Sequence, residues 1–82
     1  MFTVYVLCSC KTGRRYVGST GDLARRLSEH NSGQSTSTRN GAPWLLIHTE
    51  SFPTRSAAVQ RERFLKSGKG RALLDTIAAK AQ

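Results

Sequence analysis

The sequence predicts an α+β fold in which a small, mostly antiparallel three-stranded sheet is flanked by helices. Three features predict it: two β-branched and aromatic runs near the start of the chain, a glycine-containing polar turn between them, and later segments with helical periodicity. The chain has 82 residues, which suffice for one domain and leave no room for a second hydrophobic core. We therefore expect residues 1–82 to form a single domain with the element order β-β-α-β-α-α.

The first half of the chain predicts a β-hairpin followed by a helix. Residues 2–8 form the first β-branched and aromatic run, and residues 15–18 form the returning strand after a polar turn. Cap-type residues at 19–22 predict a helix over 23–31. A Ser/Thr/Gly-rich segment over 32–41 predicts a flexible or substrate-facing loop.

The second half predicts a third strand and two further helices. Residues 44–49 are mostly apolar, which predicts a strand that is central or well covered. A helix is expected over 55–67, and Gly68 and Gly70 are expected to end it. The Ala- and Leu-rich segment 71–80 predicts a short terminal helix.

Basic residues outnumber acidic ones by 13 to 5, giving a formal net charge of +8. Such charge favours a polyanionic partner, because Lys and Arg displace counterions from phosphates. The alternative is a merely solvated surface. Charge alone does not separate DNA from RNA or from an anionic membrane. We expect no membrane association, because no basic amphipathic helix with bulky aromatics is evident and no apolar stretch approaches the roughly 20 residues that span a bilayer.

The two cysteines, Cys8 and Cys10, are two residues apart on a predicted strand. Their side chains would point to the same face, and this geometry does not favour a disulfide between them. Free thiols, together with an N-terminus that lacks a signal-peptide pattern, favour a cytoplasmic setting.

Arg26 and His30 lie beside the apolar stripe of the first predicted helix. At about 100° per residue they flank Leu23 and Leu27. An arginine at a buried margin needs an anion nearby, either an internal carboxylate or a bound phosphate. The planar guanidinium suits phosphate because it donates two parallel hydrogen bonds.

Glu62 lies inside the apolar arc of the second long helix, between Val59 and Leu65. One interpretation is a salt bridge with Arg26 or another arginine. The other is a metal ligand, since one carboxylate with phosphate oxygens and waters suits a single Mg²⁺.

Tyr5 and Tyr16 are the only tyrosines. Tyr5 shares a strand face with Leu7, and Tyr16 shares one with Gly18, so a hairpin can bring both phenols to one side. Gly18 would allow a phosphate to approach the backbone closely. Both tyrosines can instead be ordinary core aromatics. Combined with Arg26, the pair favours phosphodiester hydrolysis, which needs a positioned nucleophile and charge stabilisation.

The segments carrying these side chains resemble the GIY-YIG nuclease domain family. Residues 4–6 (Val-Tyr-Val), 16–18 (Tyr-Val-Gly) and 22–30 are similar to its first two motifs and the following helix, and residues 61–66 are similar to its later helix with a metal-binding glutamate. The resemblance extends over residues 3–67. Taken whole, the chain is similar to the small stand-alone members of the family.

The resemblance implies an endonuclease of low intrinsic sequence specificity that uses one Mg²⁺ or Mn²⁺ ion. It implies nucleic acid as partner, DNA more than RNA, with DNA repair or recombination as the setting. The tyrosines would lie by the nucleophilic water and the scissile phosphate, the arginine would stabilise the phosphate, and the histidine would have an acid–base or supporting role. The implied catalytic residues are Tyr5, Tyr16, Arg26, His30 and Glu62, of which Glu62 is also the metal ligand. The implied supporting contacts to nucleic acid are Gly18, Arg25, Arg39 and Lys66.

The sequence departs from the family pattern at two places. The first motif reads Val-Tyr-Val rather than Gly-Ile-Tyr, and no asparagine follows Asn40, whereas many catalytic members carry one after the glutamate helix. A non-catalytic nucleic-acid-binding module with the same fold is therefore the alternative to a nuclease. An interaction protein whose charge serves only solvation is a third possibility.

Overall fold

The computed structural model describes residues 1–35 and 38–81 and has the predicted order of elements. Residues 36 and 37 of the predicted loop, and residue 82 of the predicted domain, lie outside the described residues. The elements are β1 (Phe2–Ser9), β2 (Arg15–Thr20), α1 (Leu23–Ser32), a 3₁₀ turn (Arg39–Gly41), β3 (Trp44–Phe52), α2 (Arg55–Lys66) and α3 (Gly68–Ala81).

The sheet has the strand order β2-β1-β3, and both pairings are antiparallel. The prediction that β3 is central or well covered is therefore wrong, because β1 lies in the centre and β3 forms an edge. The apolar residues of β3 are divided between the two faces by an irregularity that leaves Ile47 between the pairs Val6–His48 and Leu7–Leu46. Leu45 is 57% exposed on this edge.

Helices cover both faces of the sheet, because successive residues of β1 point in opposite directions. On one face, Val4 and Val6 pack against α2 and α3 in a buried cluster completed by Val17, Ala58, Leu65 and Leu74. On the other face, Tyr5, Leu7 and Trp44 form a second cluster, against which Tyr16, Leu23 and Leu27 pack. The alternation of β1 thus sends Tyr5 toward α1 and the two valines toward α2.

Helix ends follow the local sequence. The Asp22 carboxylate accepts a hydrogen bond from the Arg25 amide at the start of α1, and Thr54 caps α2 through the Ala57 amide. Gly33 ends α1 with φ of 83°, a left-handed conformation that glycine adopts without strain. No helix within residues 1–35 and 38–81 is long and apolar enough to cross a membrane.

The junction between α2 and α3 differs from the prediction. Helix α2 ends at Lys66, one residue before the predicted end, Gly68 begins the next helix, and Gly70 lies within its first turn. A Cβ atom at Gly70 would collide with the carbonyl oxygen of Phe64 and the Cα of Leu65, whereas one at Gly68 would meet open space. Gly70 is therefore required because α3 packs directly onto the last turn of α2.

This contact predicts different effects on stability for glycine-to-alanine changes at Gly70 and Gly68. Gly70→Ala should lower the free energy of unfolding by about 1–3 kcal/mol, because the backbone must move to admit the methyl group. Gly68→Ala is the matched control and should be neutral or stabilising by up to about 1 kcal/mol. Urea unfolding measures both, and equal stability of the two variants would contradict the packing.

Candidate active site

The hairpin register brings both tyrosines to the face covered by α1. Tyr5 pairs with Gly18 and Leu7 pairs with Tyr16, so the two phenols are diagonal neighbours on one face. Their ring centroids are 6.2 Å apart. Tyr5 is only 1% exposed, whereas Tyr16 is half-buried. The Tyr16 hydroxyl makes no hydrogen bond within the part of the chain that the structure describes.

Gly18 lies directly against the buried phenol. A Cβ atom there would be 2.5 Å from the Tyr5 hydroxyl oxygen and 3.1 Å from a ring carbon of Tyr16. Any side chain at this position would therefore displace the tyrosines. Gly18 is needed because the Tyr5 hydroxyl occupies the space beneath β2 that a side chain would fill.

His30 is fully buried and is held through both ring nitrogens. Its Nε2 is 2.9 Å from the Tyr5 hydroxyl, and its Nδ1 is 2.7 Å from Oγ1 of Thr38. Its ring also packs against Tyr16, with centroids 4.8 Å apart. Burial lowers the pKa of His30, and the positive charge of Arg26 lowers it further against the opposing effect of Glu29. The imidazole is therefore neutral near pH 7.

Donor and acceptor counting assigns the tautomer of His30. The Arg26 guanidinium, which can only donate, lowers the pKa of Tyr5, and its approach to the phenolic oxygen favours a phenolic proton directed to Nε2 of His30. The proton of the neutral imidazole then lies on Nδ1, where Thr38 Oγ1 accepts it. The favoured order of donation is therefore Tyr5 to His30 and His30 to Thr38.

Thr38 is a residue that the sequence interpretation missed. It belongs to a Ser/Thr/Gly-rich segment that predicts a flexible loop, yet it is 1% exposed. Its carbonyl accepts a hydrogen bond of 2.7 Å from the Trp44 indole N–H, while its hydroxyl meets His30. No local pattern separates it from the other small polar residues around it, so only the tertiary structure identifies it.

The carboxylate partner of Arg26 is Glu29, whereas one interpretation of the sequence was a pair with Glu62. Nη1 of Arg26 donates to Glu29 at 2.8 Å, across one turn of α1. Glu29 also accepts from Arg25 at 3.2 Å. The hydrogen bonds with Glu29 and Tyr5 raise the pKa of Arg26, so this guanidinium is always charged. The Arg26 side chain retains 34% exposure, which leaves donor groups accessible from solvent.

Glu62, on α2, lies on the face of the sheet opposite to the tyrosines and contacts β2. One carboxylate oxygen accepts from the Ser19 hydroxyl at 2.7 Å, and the other accepts from Lys66 Nζ at 2.7 Å. Burial raises the pKa of Glu62, but these two partners outweigh burial and lower it below its usual value. Because Ser19 follows Gly18, a single strand separates this carboxylate from the Tyr5 hydroxyl.

The polar groups at Tyr5 act on one another electrostatically. Burial raises the pKa of Tyr5, the hydrogen bond from Arg26 lowers it in part, and the charges of Tyr16 and Glu62 raise it again. Tyr5 therefore remains protonated at neutral pH. Among these effects on the pKa of Tyr5, that of Glu62 is the smallest.

The remaining predicted residues lie around this centre. Lys66 is the ion-pair partner of Glu62, Arg25 is 74% exposed on α1, and Arg39 is exposed at the start of the 3₁₀ turn. Four of the predicted catalytic residues lie together on one face of the sheet: Tyr5, Tyr16, Arg26 and His30. The fifth, Glu62, contacts β2 from the opposite face.

A metal cage made wholly of protein ligands is not found among the described residues, which contain no group of three or more His, Cys, Asp and Glu side chains suited to an ion. Glu62 offers one ionised carboxylate beside a hydroxyl and an exposed lysine. That donor set fits one Mg²⁺ or Mn²⁺ that keeps most of its waters, and it does not fit a two-metal centre.

Residues 1–74 match the GIY-YIG catalytic domain. The chain belongs to this family of nuclease domains, which confirms the resemblance read from its motifs. Within the family it is similar to UPF0213 proteins. It is 46% identical over 65 residues to one from Natronomonas pharaonis, covering 78% of this chain and 75% of that protein. It is 45% identical over 67 residues to one from Halobacterium salinarum, covering 80% and 86%.

A solved structure supports the same fold. The solution NMR structure of a UPF0213 protein from Bacillus halodurans matches with a TM-score of 0.56 and 34% identity, covering 94% of this chain and 85% of that one. The predicted α+β class is thereby confirmed.

The His30–Thr38 contact predicts a spectroscopic effect. Thr38→Val keeps the shape but removes the acceptor of the Nδ1 proton, so the His30 ¹⁵N shifts should leave the values of the Nδ1–H tautomer. The unsatisfied donor should also cost about 1–3 kcal/mol of stability. Thr38→Ser, which keeps the hydroxyl, is the control. Unchanged imidazole shifts in Thr38→Val would contradict the assigned tautomer.

The buried neutral imidazole also predicts a pH dependence of stability. Burial keeps the folded-state pKa of His30 below its unfolded value of about 6.5, so the unfolded state binds more protons once the pH falls below that value. The free energy of unfolding should therefore decrease from about pH 7.5 to about pH 5.5. His30→Gln should flatten this decrease in urea titrations. Equal slopes for wild type and His30→Gln would exclude His30 as the cause.

Proposed function

We propose that residues 1–82 form one GIY-YIG-type domain, with its motif-bearing core at 3–67, that hydrolyses phosphodiester bonds in DNA as a metal-dependent endonuclease. The observation that carries this proposal is the hydrogen-bonded pair of Tyr5 and His30 beneath Gly18. Arg26 acts on the same phenol, and Ser19, the residue after Gly18, holds Glu62. These groups supply cationic, phenolic and carboxylate functions at one strand, as phosphodiester cleavage requires.

The two tyrosines are suited to different roles. Tyr16 is half-buried and its hydroxyl has no partner within the described residues, so we assign it to the attacking water and the scissile phosphate. Tyr5 is buried and already bonded to Arg26 and His30. Its role is to hold the guanidinium and the imidazole in place. Arg26, further fixed by Glu29, donates to the phosphate oxygens.

Glu62 is the residue that would hold the metal ion, with the Ser19 hydroxyl fixing one of its oxygens. A bound Mg²⁺ or Mn²⁺ would supply positive charge for the phosphate oxygens. Lys66 occupies the other carboxylate oxygen and supplies positive charge there itself.

Sequence specificity should be low, because few elements remain to read base edges once the backbone is held. Arg25, Arg39 and Lys66 are the proposed supporting contacts to phosphates, and the buried Gly18 supports the site by leaving room for the Tyr5 hydroxyl. We place the protein in the cytoplasm, consistent with the free thiols of Cys8 and Cys10, with DNA repair or recombination as its setting.

A non-catalytic nucleic-acid-binding module is the second candidate. It is favoured by the full pairing of Glu62 with Ser19 and Lys66, and by the lack of an asparagine after Asn40. In this alternative the polar group beneath Gly18 stabilises the fold, and the basic surface alone binds nucleic acid.

Nicking of supercoiled plasmid at low salt with Mg²⁺ or Mn²⁺ separates the two candidates. Glu62→Gln, Arg26→Ala and Tyr16→Phe should each lower the rate by about 10²-fold or more, because each removes a group that acts in the transition state. Lys80→Ala, an exposed cation near the end of α3, is the control for lost charge and should cut at the wild-type rate.

The outcomes are distinct. Binding without nicking under either metal would contradict the nuclease and favour the binding module. Nicking by Tyr16→Phe at the wild-type rate would remove the Tyr16 hydroxyl from the mechanism while leaving the other assignments intact.

A further inference from the structure

A groove of about 460 Å³ adjoins Tyr16 between the β1–β2 hairpin and the α2–α3 junction. Its base is apolar, because Val17, Leu65 and Leu74 are buried there. Its rims are basic on both sides: the hairpin and the two helices contribute Arg14, Arg15, Lys66 and Arg71.

Two of these four cations already have carboxylate partners. Arg15 pairs with Asp75 at 2.7 Å, and Lys66 pairs with Glu62 at 2.7 Å. Arg14 and Arg71 are both exposed and, within residues 1–35 and 38–81, neither forms an ion pair. The groove thus has an uncompensated guanidinium on each rim, which is the arrangement that a chain of phosphates would neutralise.

The groove adjoins the candidate active site at two residues, Tyr16 and Glu62. Tyr16 lines the groove directly, and Lys66 links its opposite rim to Glu62. A phosphodiester chain that crosses the edge of β2 from Tyr16 toward Glu62 would therefore continue into this groove.

We propose that this groove binds the sugar–phosphate backbone that flanks the scissile bond, with Arg14 and Arg71 contacting phosphates from opposite rims. The inference rests on the proposed function and extends it by naming the path of the substrate strand. The apolar base accommodates the sugars, while the two arginines fix the direction in which the strand leaves the site.

The test is equilibrium binding of a fluorescent 20-nucleotide single strand and its duplex, measured by anisotropy in EDTA over a range of KCl concentrations. Arg14→Gln with Arg71→Gln should weaken binding about tenfold or more at low salt. It should also reduce the slope of log K against log [KCl] by roughly 1.4–1.8, since each phosphate contact contributes about 0.7–0.9. Arg55→Gln with Lys80→Gln removes the same charge outside the groove and should leave the slope nearly unchanged.

Equal losses of binding affinity in the two double variants would overturn the groove proposal, because they would show that only the total charge of the protein matters. Absence of binding by wild type would also overturn it. A titration with inorganic phosphate distinguishes a free-anion site, and phosphate binding as tight as the oligonucleotide would overturn the nucleic-acid assignment. The binding assay needs no cleavage, so it tests the groove separately from the nuclease activity. Binding that depends on Arg14 and Arg71, without nicking of plasmid, would support the groove and refute the nuclease. Nicking of plasmid, with equal losses of binding in the two double variants, would support the nuclease and refute the groove.

Discussion

The buried hydroxyl of Tyr5 is the constraint on which the rest of the site depends. A phenol without partners at this depth would be unfavourable, so its hydroxyl is hydrogen-bonded to His30, and the Arg26 guanidinium lowers its pKa. Each partner needs a further one: His30 is completed by Thr38, and Arg26 by Glu29. One buried oxygen thereby ties β1, α1 and the segment before the 3₁₀ turn into a single polar network.

The edge strand β2 connects this network to the other side of the sheet. Gly18 must lack a side chain because the Tyr5 hydroxyl lies beneath it, and Ser19 faces the opposite way and holds Glu62. The alternation of a strand therefore places a phenol and a carboxylate on either side of the same backbone segment. The basic groove adjoins this strand as well, so backbone binding and the proposed chemistry converge on β2.

Local patterns in the sequence predicted the parts of the molecule that depend on local physics. The alternation in residues 2–8, the cap at Asp22, and the helical placement of Arg26 and His30 all follow from neighbouring residues. Strand order does not, because it depends on which partner β1 pairs with, and β3 was wrongly placed for this reason. The role of Thr38 depends likewise on a contact that only the folded chain defines. The Arg26–Glu29 pair is an i, i+3 contact within α1, so the sequence allowed its prediction, but the sequence interpretation missed it.

The central claim is that groups on both faces of β2 form one site. Amide NMR titration with a non-hydrolysable phosphorothioate dinucleotide in the presence of Mg²⁺ tests it most directly. The account predicts that the signals of Gly18, Ser19, Arg26 and Glu62 shift together and saturate at one ligand concentration. Shifts confined to one face, or two faces that saturate at different concentrations, would contradict a single site.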